Sequence, residues 1–189
     1  MILDFMFYPF PLFLIDMQNF ITVFKKDKKN KHKSEDYTLV IPISSREIHH
    51  ILYKKIRGVK DKILIVDDSG GRLKKYVEEL RMDGFKVVSN SKCGFKWSAL
   101  ENALNYIKSK YVIFIDDDTH TRKDFSYLAG ELEYKNADVA STNVYTFKPK
   151  SWIERMQDIE YKISMLSREI RCWLTSGACI CAKTESMKK

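Results

Sequence analysis

From residue 37 onward, short apolar runs alternate with stripes of apolar residues at helical spacing. Leu39 to Ile43 is the first run, and Ile48, Ile51, Leu52 and Ile56 recur after it at the period of a helix. Ile63 to Val66 reads as a second buried strand, and Leu73, Tyr76, Val77 and Leu80 as the stripe of a second helix. The turn signal Asp83-Gly84 introduces a third strand over Phe85 to Val88. Trp97, Leu100, Leu104 and Ile107 predict a third helix, leading into a strand from Tyr111 to Ile115. Phe125, Leu128 and Leu132 mark a fourth helix, and Val139 begins a further extended stretch. Trp152, Met156, Ile159, Ile163, Leu166 and Ile170 form another helical stripe, expected to face the core, with Ser151 and Glu154 as its capping box. Near-continuous apolar strands separated by amphipathic helices imply an open α/β fold, a mainly parallel sheet with helices on both faces.

Before this pattern lies an apolar segment, Phe5 to Phe24, about the length of a helix that crosses a hydrocarbon core. Asp4, Pro9, Pro11 and Asp16 interrupt it, so an interfacial or core-packed segment is the alternative to a spanning one. The organisation expected is a hydrophobic membrane helix over residues 1–24, a Lys-rich linker over 25–36 and a globular domain over 37–189. Residues 25–33 alone carry +5 of the formal net charge of +8. That concentration beside an apolar segment suits an anionic membrane surface and argues against a nucleic-acid partner, which would need basic residues spread over a folded face. If the segment spans, the lysines stay cytoplasmic and keep the domain there. A cleaved signal peptide does not fit, because the basic residues follow the apolar run. With 44% apolar residues in 189, one domain with a sizeable core is expected.

Cys93, Cys172, Cys179 and Cys181 form no paired CxxC motifs and read as small buried side chains. The acidic residues are more informative. The second strand closes on Asp67-Asp68-Ser69-Gly70-Gly71 and the fourth on Asp116-Asp117-Asp118. In open α/β sheets ligands bind outside the carboxyl ends of the strands. Three adjacent carboxylates raise one another's pKa unless something positive binds there, and a divalent cation is the simplest solution. In an extended backbone Asp116 and Asp118 share a face and could both approach Mg²⁺ or Mn²⁺, which would bridge to a diphosphate. The bland alternative is that Asp118 or Thr119 caps the following helix. His120 is a candidate third ligand, whereas His49 and His50 read as exposed helix residues away from either acidic strand end.

The ordered segments VIPISS, ILIVDDSGG, GFKWSALENAL, YVIFIDDDTH and TSGACICAKTESM together resemble the motif set of family 2 glycosyltransferases of the GT-A fold. The helix SWIERMQDIEYKISMLSREIR followed by TSGA resembles the membrane-bound processive branch that includes cellulose, chitin and hyaluronan synthases. The resemblance implies nucleotide-sugar contacts at Ile43, Ser44, Glu47, Asp67, Asp68, Lys96 and Asp117. It implies metal binding by Asp116 and Asp118 in a DxD motif, and acceptor contacts at Ser176 and Gly177, with Glu160 and Tyr161 as further acceptor candidates. The activity implied is metal-dependent, inverting transfer from a nucleoside diphosphate sugar, UDP by analogy, to a glycan or lipid acceptor. Gly94 and Asn102 stand two residues farther apart than in the usual family pattern. The family's catalytic base lies downstream of the SGA segment, so the expectation is a fragment whose C-terminal part is missing, a chain completed by a second one, or a non-catalytic nucleotide-sugar binder. A sugar nucleotidyltransferase is disfavoured, because Pro42 to Glu47 holds no Gly-rich phosphate loop.

Overall fold

The computed structural model describes residues 32–90, 93, 94, 96–170 and 177–188, so the apolar segment 5–24 and the linker's first residues lie outside the described residues. No helix among the described residues is long and apolar enough to cross a membrane. The chain divides into two compact units, one comprising residues 32–142 with 177–188 and the other, in its described part, residues 143–170.

The first unit is built on six strands. They are β1 (Tyr37–Ile43), β2 (Ile63–Asp67), β3 (Lys86–Ser89), β4 (Tyr111–Ile115), β5 (Val139–Ser141) and β6 (Cys179–Lys183). They lie in the order β3-β2-β1-β4-β6-β5. The first four run parallel, as the alternating pattern predicts, with Leu39 opposite both Ile63 and Ile113. At the far edge β6 pairs antiparallel with both β4 and β5, which the apolar pattern alone does not encode.

Strand residues sort by parity onto two faces, because successive side chains point to opposite sides of a sheet. Leu39, Ile41 and Ile43 of β1 join Ile63 and Ile65 of β2 and Tyr111, Ile113 and Ile115 of β4 in one buried cluster. Against that cluster pack α1 (His50–Ile56) through Leu52 and Ile56, α2 (Lys74–Met82) through Val77 and Leu80, and α4 (Ser126–Tyr134) through Ala129 and Leu132. Cys179 and Cys181 lie on this same face, as their alternation predicts. Val40, Leu64, Val66, Val112 and Phe114 face the other way, onto α3 (Lys96–Leu104). Each fully buried Leu or Ile contributes about 1.5–3 kcal/mol relative to exposure, so this double-sided burial accounts for why β1, β2 and β4 are continuous apolar runs.

Helix α3 corrects the sequence reading in part. Its buried positions are Ala99 and Ala103; Leu100 and Leu104 are half-buried against the same cluster and Ile107 is buried in it, as the stripe predicts, whereas Trp97 is 70% exposed. Two alanines let the helix axis approach the sheet, and the larger residues flank the contact. The first four residues of the stripe on helix α5 (Trp152–Ile170) are not core: Trp152, Met156, Ile159 and Ile163 are exposed, and among the described side chains of this helix Asp158 and Met165 are the buried ones, while Leu166 and Ile170 lie outside the described side chains. Asp158 accepts the Thr146 N–H at 3.2 Å and pairs with Lys162 at 2.7 Å, which turns that polar face inward within its own unit. The capping box forms as expected, with Glu154 N–H donating to Ser151 Oγ at 3.2 Å and Ser151 N–H to Glu154 Oε2 at 3.1 Å. A last short helix, α6 (Thr184–Met187), closes the described chain.

Candidate active site

The carboxyl ends of β1, β2 and β4 surround one open cleft of about 450 Å³. Strand order turns back on itself between β1 and β4, and crevices of open α/β sheets form at such points because the flanking loops diverge to opposite faces. The loop after β1 supplies Ser44, Ser45 and Arg46, and the loop after β2 supplies Asp68 and Arg72. Cys93, Gly94 and Lys96 line the cleft at the start of α3, and Asp116, Asp117 and Asp118 follow β4. Four carboxylates and three cationic side chains therefore share one cleft wall.

The backbone leaves strand geometry at Ile115. Thr119 N–H donates to the Asp116 carbonyl at 3.0 Å, closing a turn over the aspartate triplet. Strict alternation of faces, which assumes an extended backbone, therefore stops before the triplet. The turn presents Asp117 and Asp118 to one guanidinium: Arg46 Nε donates to the two Asp117 oxygens at 3.2 and 3.3 Å, and Arg46 Nη2 to Asp118 Oδ2 at 2.6 Å. Asp116 pairs with Lys96, whose Nζ also donates to the Gly177 carbonyl at 2.8 Å. Burial pushes Asp117 above the ordinary carboxylate range, against the downward pull of Arg46. The same hydrogen bonds raise the Arg46 guanidinium. Capping of the next helix by Asp118 or Thr119 is excluded, since α4 begins at Ser126.

On the β2 side, Asp67 is buried and turns inward, its Oδ1 accepting the Ser69 N–H at 2.9 Å in a local turn. Asp68, only 2% exposed, contributes to the cleft lining. Its Oδ1 accepts Asn90 Nδ2 at 2.7 Å and the Gly94 N–H at 3.0 Å, while Asn102 Nδ2 donates to Asn90 Oδ1 at 2.6 Å. Gly94 and Asn102, the two positions with unusual spacing, thus meet on one hydrogen-bonded relay to Asp68. A Cβ on Gly94 would stand 2.7 Å from Ser98 Cβ, so the chain passes too close to α3 for any side chain there. Gly70 and Gly71 adopt φ of 63° and 88°, which lets the loop after β2 turn back under Arg72.

Of the residues singled out in the sequence, the cleft gathers Ser44, Asp68, Lys96, Asp116, Asp117 and Asp118, with Gly177 held by Lys96. Ile43 has its side chain in the core and its carbonyl bonded to Asp68 N–H at 2.8 Å, and Glu47 is exposed outside the cleft lining. Ser176 and Cys172 lie outside the described residues, and Glu160 and Tyr161 belong to the other unit. Cys93 is exposed on the cleft wall rather than buried. His49 is not a free surface residue: its N–H donates to the Asp117 carbonyl at 2.8 Å, and its ring stacks 6.3 Å from that of His120. Burial, then His49 and Lys55, lower the His120 pKa. Arg46 and Arg72 are cleft residues that the sequence pattern does not single out. Their signal is a lone cation in each strand-end loop, opposite the aspartates.

A hard divalent cation suits this donor set in part. Asp116 and Asp118 are carboxylates open to the cleft, with side chains 32% and 50% exposed. No group of three or more His, Cys, Asp or Glu among the described residues is gathered to hold a metal alone. Such sites, with one or two carboxylates, suit Mg²⁺-type ions that fill their remaining positions with water and substrate phosphate oxygens.

A family model described as Glycosyl transferase family 2 matches residues 40–188, most of the chain and all of the cleft. The chain belongs to this family. As a family 2 glycosyltransferase domain it shares its fold with solved glycosyltransferases. A mannosyltransferase from Pyrobaculum calidifontis, solved with GDP-Man and Mn²⁺, aligns at a TM-score of 0.64 and 17% identity over 94% of this chain and 53% of its own. S. aureus TarS 1-349 aligns at 0.52 and 19% identity over 81% and 48%. Glucosyl-3-phosphoglycerate synthase from Mycobacterium tuberculosis aligns at 0.51 and 17% identity over 83% and 59%. Identities this low speak for the fold alone, and the family 2 chain spans about half the length of these structures. No match is found among curated proteins.

Proposed function

We propose that this family 2 domain binds a nucleoside diphosphate sugar, UDP-linked by the resemblance of its motifs, and transfers the sugar with inversion to a glycan or lipid acceptor. The observation that carries the reading is the meeting of Asp68, Asp116 and Asp118 with Arg46, Arg72 and Lys96 in one cleft at the β1/β4 crevice. Asp68, braced through Oδ1 by Asn90 and Gly94, would accept hydrogen bonds from the base or ribose. Asp116 and Asp118 would hold Mg²⁺ or Mn²⁺, which supplies charge neutralisation for the departing diphosphate. Lys96 and Arg72 would donate to the phosphate oxygens as negative charge develops on them. Gly177 lies where Lys96 ties the segment before β6 to the donor cleft, and we assign it with Ser176 to the acceptor end.

Asp116 and Asp118 are assigned to the metal, Asp117 sits behind them against Arg46 and Asp68 is held by Asn90 and Gly94, so we assign no described cleft carboxylate as the general base. We therefore assign the donor half of the reaction to this chain, with the base supplied by further sequence or a second chain. If neither supplies it, the chain is a non-catalytic nucleotide-sugar binder. We also propose that the chain belongs with the processive synthase branch its motifs resemble, with residues 5–24 and the following lysines holding the domain at the cytoplasmic face of a membrane. Calorimetric titration of the chain with UDP, with and without Mn²⁺, tests the donor site. Binding should require the metal and should weaken at least about tenfold in Asp116→Ala, where tenfold is ~1.4 kcal/mol. Metal-independent binding, or none, would overturn the reading.

A further inference from the structure

Arg46 is exposed at its side chain to 59%, yet its Nε and Nη2 are engaged by Asp117 and Asp118. Arg46 sits in the loop after β1, between strand and α1, with no role in either hydrophobic cluster. A guanidinium binds carboxylate pairs and phosphate oxygens with the same planar geometry. Asp117 is nearly buried, whereas Asp118 is half-exposed at the cleft mouth. Without Arg46, Asp117 and Asp118 would stand as adjacent like charges with no cation against them, while Asp116 keeps Lys96, and that is unfavourable.

We propose that Arg46 is an exchange residue: it stands in for a cation on Asp117 and Asp118 in the unloaded protein and passes its fork to the diphosphate when nucleotide binds. The proposal rests on the donor-site reading and adds a prediction that reading does not make. Arg46 opposes metal binding in the absence of nucleotide and favours nucleotide binding in the presence of metal. A structural ion pair alone would produce no such opposition, because its loss would weaken both. Lys96 on Asp116 is the parallel case on the α3 side, but it is also tied to Gly177, so its effects would mix two roles.

The test measures free Mn²⁺ by electron paramagnetic resonance in titrations of the whole chain, first without nucleotide and then with UDP. Arg46→Gln keeps a polar side chain and removes the charge. Removing one positive charge a few ångströms from a partly solvated site should tighten Mn²⁺ binding roughly tenfold without nucleotide, while UDP affinity at saturating Mn²⁺ falls by roughly the same factor. Arg46→Lys keeps the charge without the fork, and should leave Mn²⁺ binding near the wild-type value while lowering UDP affinity. Unchanged or weakened Mn²⁺ binding in Arg46→Gln overturns the exchange while leaving the donor site standing. Absence of Mn²⁺-dependent UDP binding in the wild type overturns the donor site and the exchange together.

Discussion

Lys96 and Gly177 are 81 positions apart in sequence, yet the Lys96 ammonium donates to the Gly177 carbonyl at 2.8 Å while holding Asp116. One side chain at the start of α3 therefore links the aspartate turn after β4 to the segment that enters β6. The ammonium makes both contacts with a charge that a neutral amide lacks, so the one to the Asp116 carboxylate is charge-assisted on both sides.

Lys96→Met should therefore weaken UDP binding by roughly tenfold, the loss of one charge-assisted hydrogen bond of about 1.5–3 kcal/mol, discounted for a side chain in contact with solvent. Lys96→Arg should restore part of the affinity. Isothermal titration of both variants with UDP and Mn²⁺ checks the pair, and wild-type affinity in Lys96→Met would remove Lys96 from the site.

The relay from Asn102 through Asn90 to Asp68 gives a second expectation. Asn102→Ala leaves the Asn90 carbonyl oxygen without its donor and should cost about 0.5–1.5 kcal/mol of stability. Asp68→Ala removes the one oxygen that accepts from both Asn90 Nδ2 and the Gly94 N–H, so it should be the more damaging of the two. Urea unfolding gives the stability difference, and UDP titration shows whether the loop carrying Gly94 has lost its place. Equal, negligible effects from both substitutions would mean that the relay does not hold the loop.

Close approach of α3 to the sheet rests on Ala99 and Ala103, both fully buried against Val40, Leu64 and Val66. Ala99→Leu adds three carbons to a packed interface and should destabilise by about 1–3 kcal/mol. Because α3 begins at Lys96, the same change should also weaken UDP binding, and Ala99→Gly should weaken it less. The midpoint of urea unfolding and the UDP affinity measured on the same variants decide this.

Much of the fold was legible because β1, β2 and β4 are buried on both faces, and burial of that kind writes itself as an unbroken apolar run. Asp68 and the triplet at 116–118 were legible for a related reason: charge directly after such a run has nowhere to go but a strand-end cleft. Arg46 was not, since a single arginine in a loop becomes informative only once the fold brings it within 2.6 Å of Asp118, 72 positions away. Helical spacing also misled where residue size decides the packing. In α3 the alanines make the closest approach to the sheet with Leu100 and Leu104 beside them, and in α5 a paired Asp158 is buried while Trp152, Met156, Ile159 and Ile163 are exposed. The spacing of apolar residues locates a helix but does not say which face its neighbours cover.

Thiol chemistry separates three of the cysteines and carries a pH dependence of definite sign. Cys93 is exposed on the cleft wall, whereas burial lifts the Cys179 thiol to about 11 and the Cys181 thiol to about 12. Iodoacetamide at pH 8, followed by peptide mass mapping, should modify Cys93 and spare Cys179 and Cys181 until the chain is unfolded. UDP with Mn²⁺ should slow the reaction at Cys93, since the thiol lines the proposed donor cleft. Both buried thiols have folded-state values above the ordinary 9.0, so the folded chain keeps protons that the unfolded chain releases. Their contribution to stability is complete below pH 9 and falls as pH rises from about 9 to 11 and beyond, because the unfolded state then binds fewer protons. Cys179→Ala and Cys181→Ala together should flatten that decline while lowering stability at pH 7 through lost packing. Urea midpoints for wild type and double variant between pH 7 and pH 10.5 measure it, and parallel slopes across the range would show that these thiols are not the groups responsible.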